Sequence, residues 1–580
     1  MIRHRIILPL ALVAAAVHLP AQVDLVLSGK VDLPGGGEII AYTRDNYTLA
    51  TTYFTGGGPA ETQGVNLYTF TGTGATWRAT ADLSGVFGAD QTYSVSSVAL
   101  DPLGRGFGVA TVIPAANTTK TSRLAFFDYQ TGAVLHAVDV GYHADSVTFS
   151  RDGVQLVVAN EGEANTGTPA AGDGSDAPGS LSIVSLGGIS QASQVTGLTA
   201  VTKDFSTANL GTGVTLAGLR NSYLPSLGNP GNSAGQEALN TRVPDFNAPE
   251  SISALGVEPE YSVVHNGKVY VSLQENNAVA VYDLATGAWE KIHHLGTITQ
   301  TIDASDQAGV GAFEHAVRGL PMPDTLSVVT IAGTDYIVTA NEGDARIDDR
   351  DVGRFGDVSG ADALTPLLDP SLPATQTGLR ANDQLGRLNI SRIDGDLDGD
   401  GDIDVPTMFG TRSFSIWNAE TGALVGDSGN LDQLLFALDP SRHAINRDNL
   451  NVDNRSDDKG AEPEALSVFS FGNLTYAAVG LERQNGILLF DISDPTRPRY
   501  VDYLNGLDFG LISPESLLYI SAEDSPTGMS YLLSGFEGVD GSGANAGIGI
   551  FAATPVPEPA TYGVVAAIAL AGMALWRRRR

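Results

Sequence analysis

Short runs of alternating apolar and polar residues dominate the chain between residues 23 and 555, and clusters of Gly, Asp and Asn separate them. Alternation with period two predicts half-buried strands, and the intervening clusters predict tight turns. Stretches with a helical period are scarce. The runs follow one grammar: an acid opens a first strand, a turn leads into a second strand that ends near Glu, and a loop leads to a third. Asp145 opens one such unit, with Glu161 after its second run and a third run at 181–185. Glu260 and Glu275 frame another, followed by 278–284, and Glu464 and Glu482 frame one followed by 486–491. Glu515 and Glu537 frame the last, followed by 547–551. Asp324 and Glu342 frame a unit whose third strand, 413–417, lies far downstream. Two looser units begin near Glu38 and at 94–100.

First strands thus fall near residues 38, 94, 145, 260, 324, 464 and 515. Four of the six spacings lie between 51 and 64, and those of 115 and 140 contain insertions at about 190–255 and 344–410. Fourth strands are predicted at 77–83, 134–140, 289–295 and 499–504; the last unit lacks one, and 23–31 is a spare strand at the start. Units of this size predict an all-β chain, a single seven-bladed β-propeller over 22–553 with long loop insertions. Pairing the spare strand with the last unit would close the ring and remove an open sheet edge. Six or eight blades, or a pair of β-sandwiches, are alternatives; sandwiches give no reason for acids to recur at matching positions.

The two ends follow other rules. Residues 1–21 carry Arg3 and Arg5, an apolar run and a small residue at Ala21, the pattern of a secretory signal peptide. Residues 554–580 hold Val556, Pro557, Glu558 and Pro559, then an apolar run at 560–576 and four arginines. A helix over that run would reach about 25 Å, enough for a thin bilayer, with the arginines on the cytoplasmic side. This segment resembles the PEP-CTERM sorting signal. The resemblance implies a Gram-negative bacterium, an exosortase-type sorting machinery as partner, and transient tethering of an exported protein at the cell surface. A permanent transmembrane helix is the alternative.

Charge changes the picture next. Lys and Arg number 33 against 66 Asp and Glu, a net charge of −33. Without the two ends the balance is 27 to 65, or −38. No basic cluster is available to neutralise phosphates, which excludes a nucleic-acid partner. The absence of Cys excludes disulfides, thiolate catalysis and Cys-ligated metals. The nine His are scattered and show no zinc spacing.

Antiparallel pairing puts the start of each first strand beside the end of its second. In a propeller the first strand lines the axis. Glu38, Asp145, Glu260, Asp324, Glu464 and Glu515 should therefore meet Glu161, Glu275, Glu342, Glu482 and Glu537 around one mouth of the channel. Carboxylates that close repel unless cations lie between them. Hard oxygen donors select Ca²⁺ or Mg²⁺, and Ca²⁺ is expected outside the cell. The candidate ligands are Glu161, Glu260, Glu275, Glu342, Glu464, Glu482 and Glu515; capping of backbone N–H groups is the alternative role. A second candidate is the Asp/Gly loop at 394–404. Asp396, Asp398 and Asp400 take positions 1, 3 and 5 of a calcium loop, with Gly401 at the turn. Asp402 then falls at position 7 and Asp404 at position 9, but Thr407 stands where a bidentate acid belongs.

Several longer strings are distinctive: Asn-Glu-Gly-Asp-Ala-Arg at 341–346, Gly-Thr-Arg-Ser-Phe-Ser-Ile-Trp at 410–417, and Ser-Asp-Asp-Lys-Gly-Ala-Glu-Pro-Glu at 456–464. Two more are Gly-Leu-Glu-Arg at 480–483 and Ile-Ser-Ala-Glu-Asp-Ser-Pro-Thr-Gly at 520–528. Together they resemble the choice-of-anchor I family over roughly 25–553. That family is similar to mesenchyme-specific cell surface glycoproteins, and some members carry the label alkaline phosphatase by likeness to calcium-dependent propeller phosphatases. The chain departs from the family at Ala465 and Ser516, where Gly is common, and over 527–540. Two functions are expected as alternatives, the first from the carboxylate ring, the net charge and the sorting tail, the second from the family's phosphatase label. One is a non-enzymatic, calcium-stabilised surface protein that binds extracellular polysaccharide, matrix or mineral. The other is a metal-dependent phosphoesterase acting on a phosphorylated small molecule. Its catalytic candidates are Glu342, Asp344, Arg346, Glu464, Arg483 and Glu515, with Glu482 a further metal ligand and Lys459 a further cation.

Overall fold

A computed structural model describes residues 23–33, 36–55, 62–88, 93–114, 120–162, 177–220, 256–345, 352–356, 367–368, 378–391, 394–395, 397, 402–539 and 542–556. Among these, seven four-stranded antiparallel sheets follow one another along the chain. Unit 1 comprises Ile40–Thr43, Thr48–Thr55, Thr62–Phe70 and Ala75–Asp82. Unit 2 comprises Ser94–Leu100, Phe107–Ile113, Arg123–Asp128 and Val134–Asp139. Unit 3 comprises Ala144–Phe149, Gln155–Asn160, Ser180–Ser185 and Ala200–Asp204. Unit 4 comprises Pro259–His265, Lys268–Leu273, Ala278–Asp283 and Ala288–His294. Unit 5 comprises Leu326–Ile331, Thr334–Ala340, Phe414–Asn418 and Leu424–Asp427. Unit 6 comprises Pro463–Phe471, Leu474–Leu481, Gly486–Asp491 and Arg499–Asn505.

Unit 7 is built from both ends of the described chain. Pro514–Ile520, Ser530–Phe536 and Gly547–Pro555 supply three strands, and Val23–Asp32 adds the fourth, with Val23 opposite Pro555 and Asp32 opposite Gly547. The spare N-terminal strand is thus the partner that the last unit lacks. The first strands of successive units touch one another, and that of unit 7 touches that of unit 1. Apolar side chains fill the spaces between faces. Ala50 and Val65 of unit 1 pack with Val112 and Phe127 of unit 2. At the join between last and first units, Leu533 and Ile550 pack with Leu49 and Phe70, and Phe70 meets Tyr531 edge to face at 5.4 Å. Each such fully buried side chain contributes about 1.5–3 kcal/mol.

The long spacings contain more structure than the repeat grammar predicts. Between units 4 and 5, Ile298–Asp303 and Phe313–Leu320 start an extra sheet. Thr407–Phe409, Asn389–Ser391 and Val352–Arg354, all from the unit 5 insertion, complete it. Between units 5 and 6 lies an excursion with the α-helix Leu431–Leu438, capped by Asn430, whose side chain accepts from the Gln433 N–H. No helix among the described residues is long and apolar enough to cross a membrane. Residues 1–21 and the apolar run at 560–576 lie outside the described residues; of the sorting motif, only Val556 lies within them.

Candidate functional site

A corner repeats where five of the first strands begin. Two residues before the opening acid, the backbone turns left-handed: Gly36 before Glu38 (φ 108°), His143 before Asp145 (φ 44°), Met322 before Asp324 (φ 43°), Glu462 before Glu464 (φ 54°) and Ser513 before Glu515 (φ 62°). For a residue with a Cβ this costs about 1–2 kcal/mol. The neighbouring strand holds the corner in place. The N–H groups of Glu161, Glu482 and Glu537 donate to the carbonyls of His143, Glu462 and Ser513 at 2.8, 3.0 and 2.9 Å. Gly343 N–H donates to Met322 in the same way at 3.1 Å. In units 3, 6 and 7 the acid that ends the second strand is thereby clasped to the corner that aims the first-strand acid of the same unit.

A register shift follows at the acid itself. The first-to-second strand pairing slips between Ala144 and Val147, Pro259 and Ser262, Pro463 and Leu466, and Pro514 and Ser516. Bulges of this kind re-aim a side chain beside functional sites. In unit 2 the same slip falls between Val95 and Val98, where Ser96 and Ser97 stand and no acid does.

The acids expected to gather do so. Oxygens of Glu342, Glu464 and Glu482 lie within 4.8 Å of one another, as do those of Glu482, Glu515 and Glu537. Burial raises the Glu464 carboxyl well above its usual range, and Glu515 and Glu482 raise it further. Glu464 Oε2 is buried with no hydrogen-bond partner among the described residues. Burial likewise raises Glu260, aided by Glu161, Glu275, Asp145 and Asp324. Asp324 is raised by burial, then by Glu342 and Asp145. Burial, Glu537, Glu515 and Asp145 push Glu38 up to about 8. The acids of six units therefore sense one another across a single face.

Four cations also occupy this face. Arg447 Nη1 lies 2.5 Å from Glu482, 3.3 Å from Glu515 and 2.5 Å from Glu537. Lys459 Nζ lies 2.7 Å from Glu342, 2.8 Å from Asp344 and 3.3 Å from Glu462. Arg483 Nε bridges Glu462 at 3.1 Å and Glu482 at 3.2 Å. Arg455 pairs with Glu462 and, at 3.0 Å, with Asp458. Burial opposes the charge on Glu462, but Lys459, Arg455 and Arg483 outweigh it and hold its carboxyl far below the usual range.

Arg483 and Lys459, singled out from the sequence, thus lie in the acid cluster. Arg447, Arg455 and Glu462 are missed by the repeat pattern, because they lie in the excursion before unit 6 or in its corner. So is Tyr261, whose phenol is raised by burial and by Asp324, Asp145, Glu464 and Glu515. Glu161 pairs with His143. Glu275 gives its backbone carbonyl to Arg220 Nη1 at 2.7 Å. Arg346, Asp396, Asp398 and Asp400 lie outside the described residues. Asp402 opens a two-residue strand beside Leu367–Leu368. Asp404 Oδ2 accepts from Leu397 N–H at 2.6 Å.

Gigasin-3a of Magallana gigas is 28% identical over 170 residues, covering 26% of this chain and 60% of that protein, so the chain spans less than two thirds of the relative. The WD40 domain of Toxoplasma gondii coronin is similar with a TM-score of 0.41 and 7% identity, over 93% of this chain and 88% of that one. The Myceliophteria thermophila Cps50 (Swd1) β-propeller domain gives 0.40 and 9%, over 92% and 100%. The periplasmic gluconolactonase PpgL of Pseudomonas aeruginosa gives 0.37 and 10%, over 84% and 96%. The choice-of-anchor I domain matches residues 38–495, well over half of the 580, and the chain belongs to the choice-of-anchor I family.

Proposed function

We propose that this chain is an exported, surface-associated seven-bladed propeller that binds divalent cations at the acidic mouth and acts as a non-enzymatic binding protein. The observation that carries the reading is the carboxylate cluster around Glu464. Its donor set is oxygen alone, which suits Ca²⁺ or Mg²⁺. An ion at Glu342, Glu464 and Glu482, or beside Glu260, would relieve the like-charge repulsion that adds to burial in raising these carboxyls. The face so formed suits a hydroxyl-rich polymer or mineral bound through a bridging cation. The C-terminal segment supports delivery by a sorting machinery to the cell surface.

A second reading, a calcium-dependent phosphoesterase, is favoured by the cations beside the acids. Arg447, Lys459 and Arg483 are the groups that would clamp a transferring phosphoryl. Each, however, is engaged by two to four carboxylates. This fits charge balance within the cluster better than a ready phosphate site.

Calorimetry of the purified protein with CaCl₂, alongside turnover of p-nitrophenyl phosphate and phytate with Ca²⁺ or chelator, tests both readings. Ca²⁺ binding without turnover is the expected result. Calcium-dependent turnover would replace the first reading with the second, and absence of Ca²⁺ binding would sink both.

A further inference from the structure

A second cluster lies off the ring, where the excursion before unit 6 meets the extra sheet. Asp303 ends the strand Ile298–Asp303, and His443 and Asp453 lie beyond the helix Leu431–Leu438. The side chains of Asp303 and His443 are 0% exposed and that of Asp453 is 7% exposed. His443 Nε2 is 3.1 Å from Asp303 Oδ2 and 4.0 Å from Asp453 Oδ1. One donor atom from each residue lies within 4.8 Å of the other two.

We propose that Asp303, His443 and Asp453 bind a divalent transition-metal ion of the zinc type, which staples the excursion to the extra sheet.

Four observations carry this. Asp453 Oδ1, aimed at the imidazole, is buried and has no hydrogen-bond partner among the described residues; Asp303 Oδ1 is in the same state. Orphaned buried carboxylate oxygens are costly and require a counterpart. Second, two carboxylates and a neutral imidazole leave a charge of −2, which one divalent ion balances; a proton on the imidazole balances half. Third, donors bound at zinc-like lengths in a tetrahedron sit about 3.4 Å apart, and the two distances at Nε2 bracket that value. The second oxygen of Asp303 is available to complete the set. Fourth, the surroundings hold the donors in place. Asp303 Oδ2 accepts from the N–H groups of Gly311 and Ala312 at 2.8 and 3.1 Å. The rings of Phe313 and Phe436 stand edge-on to His443 at 5.4 and 5.1 Å, a dry wall of the kind that surrounds metal sites. An imidazole nitrogen favours a transition metal over Ca²⁺, so this ion differs in kind from the one proposed at the mouth.

The staple has a consequence for the ring. Arg412 donates from Nη1 to the Asp303 carbonyl at 2.7 Å and from Nη2 to the Ser456 and Asp458 carbonyls at 2.7 and 2.8 Å. The ion would fix the loop that carries Arg447, Arg455 and Lys459, the cations of the acid cluster.

Metal analysis of the purified full chain is the test, followed by chelation and add-back of Zn²⁺, Co²⁺, Mn²⁺ or Ca²⁺ with thermal melting. About one equivalent of transition metal per chain is expected, lost in His443→Gln and Asp453→Asn and kept in Glu464→Gln. With Ca²⁺ already saturating, Zn²⁺ or Co²⁺ should raise the melting temperature of the chelated protein further, and Co²⁺ should give visible ligand-field absorption. Wild-type protein that carries no transition metal and gives neither a melting shift nor absorption with Co²⁺ would overturn the proposal. So would a folded His443→Gln protein with undiminished metal. Should the variants not fold, the wild-type metal content and cobalt spectrum still decide.

Discussion

Glu462 and Glu464 are two residues apart, both withdrawn from water, and they behave oppositely. Glu462 is met by Lys459, Arg455 and Arg483 and stays ionised far into the acid range. Burial, with Glu515, Glu482 and Glu342 beside it, raises the Glu464 carboxyl well above the usual range. The same contrast divides the mouth. On the side of units 6 and 7, the excursion supplies Arg447, Arg455 and Lys459. Around Glu260, the strongest electrostatic neighbours are four further acids. Burial alone therefore does not set the state of an acid; what the nearest loop brings does. On one side the chain supplies its own counter-charges, and on the other like charge dominates.

Removing the internal cation is the strongest way to break this contrast. Arg447→Ala leaves Glu482, Glu515 and Glu537 together without their shared partner, and each is no more than 14% exposed. Loss of one partner from a buried ion pair costs about 3–5 kcal/mol, measurable by urea unfolding. A loss below about 1 kcal/mol would mean that the acids simply take up protons.

Acid titration gives the next effect. Glu38 holds its proton in the folded state up to about pH 8, whereas its ordinary value is 4.5. The native state binds more protons than the unfolded state across that window, so stability falls as pH rises from about 4.5 to 8 and then levels. Melting curves in chelator should show this decline, and added Ca²⁺ should flatten it. A melting temperature that rises over the same window would refute the protonated ring.

Glu260→Gln, on the cation-poor side, should cost little in chelator or stabilise by about 1 kcal/mol, because it removes repulsion among like charges. It should also weaken the stabilisation by Ca²⁺. A large loss in chelator would show that Glu260 is already served by an internal cation. The smallest effect belongs to the exposed pair of Arg44 and Glu523, 3.4 Å apart with side chains 59% and 83% exposed. Arg44→Ala should change stability by less than about 1 kcal/mol.

Much of this was legible in the residue order. Period-two runs place the strands of the units, including the distant third strand of unit 5 at Phe414–Asn418 and the fourth strands near Trp77, Val134, Trp289 and Arg499. The recurrent acids are legible because each has a fixed place in a repeat. The left-handed corners are not, since Gly36, His143, Met322, Glu462 and Ser513 share no side-chain character. Arg447 and His443 are equally silent. They sit in a loop with no period, and most of their partners lie on other elements: Glu482, Ser513, Glu515 and Glu537 for Arg447, and Asp303 for His443. The extra sheet is hidden for the same reason, being assembled from segments of two different connections.

The pairing of Val23–Asp32 with Gly547–Pro555 has a temporal meaning. The earliest described segment must wait for the last before its edge is covered, across more than five hundred intervening residues. Loop closure over such a span is slow, so the final sheet is a late event in folding. An emerging chain would carry an unsatisfied edge strand until residues 547–555 have been made. Joining residue 555 to residue 23 by a short linker and opening the ring elsewhere should give a permuted chain that folds with less delay.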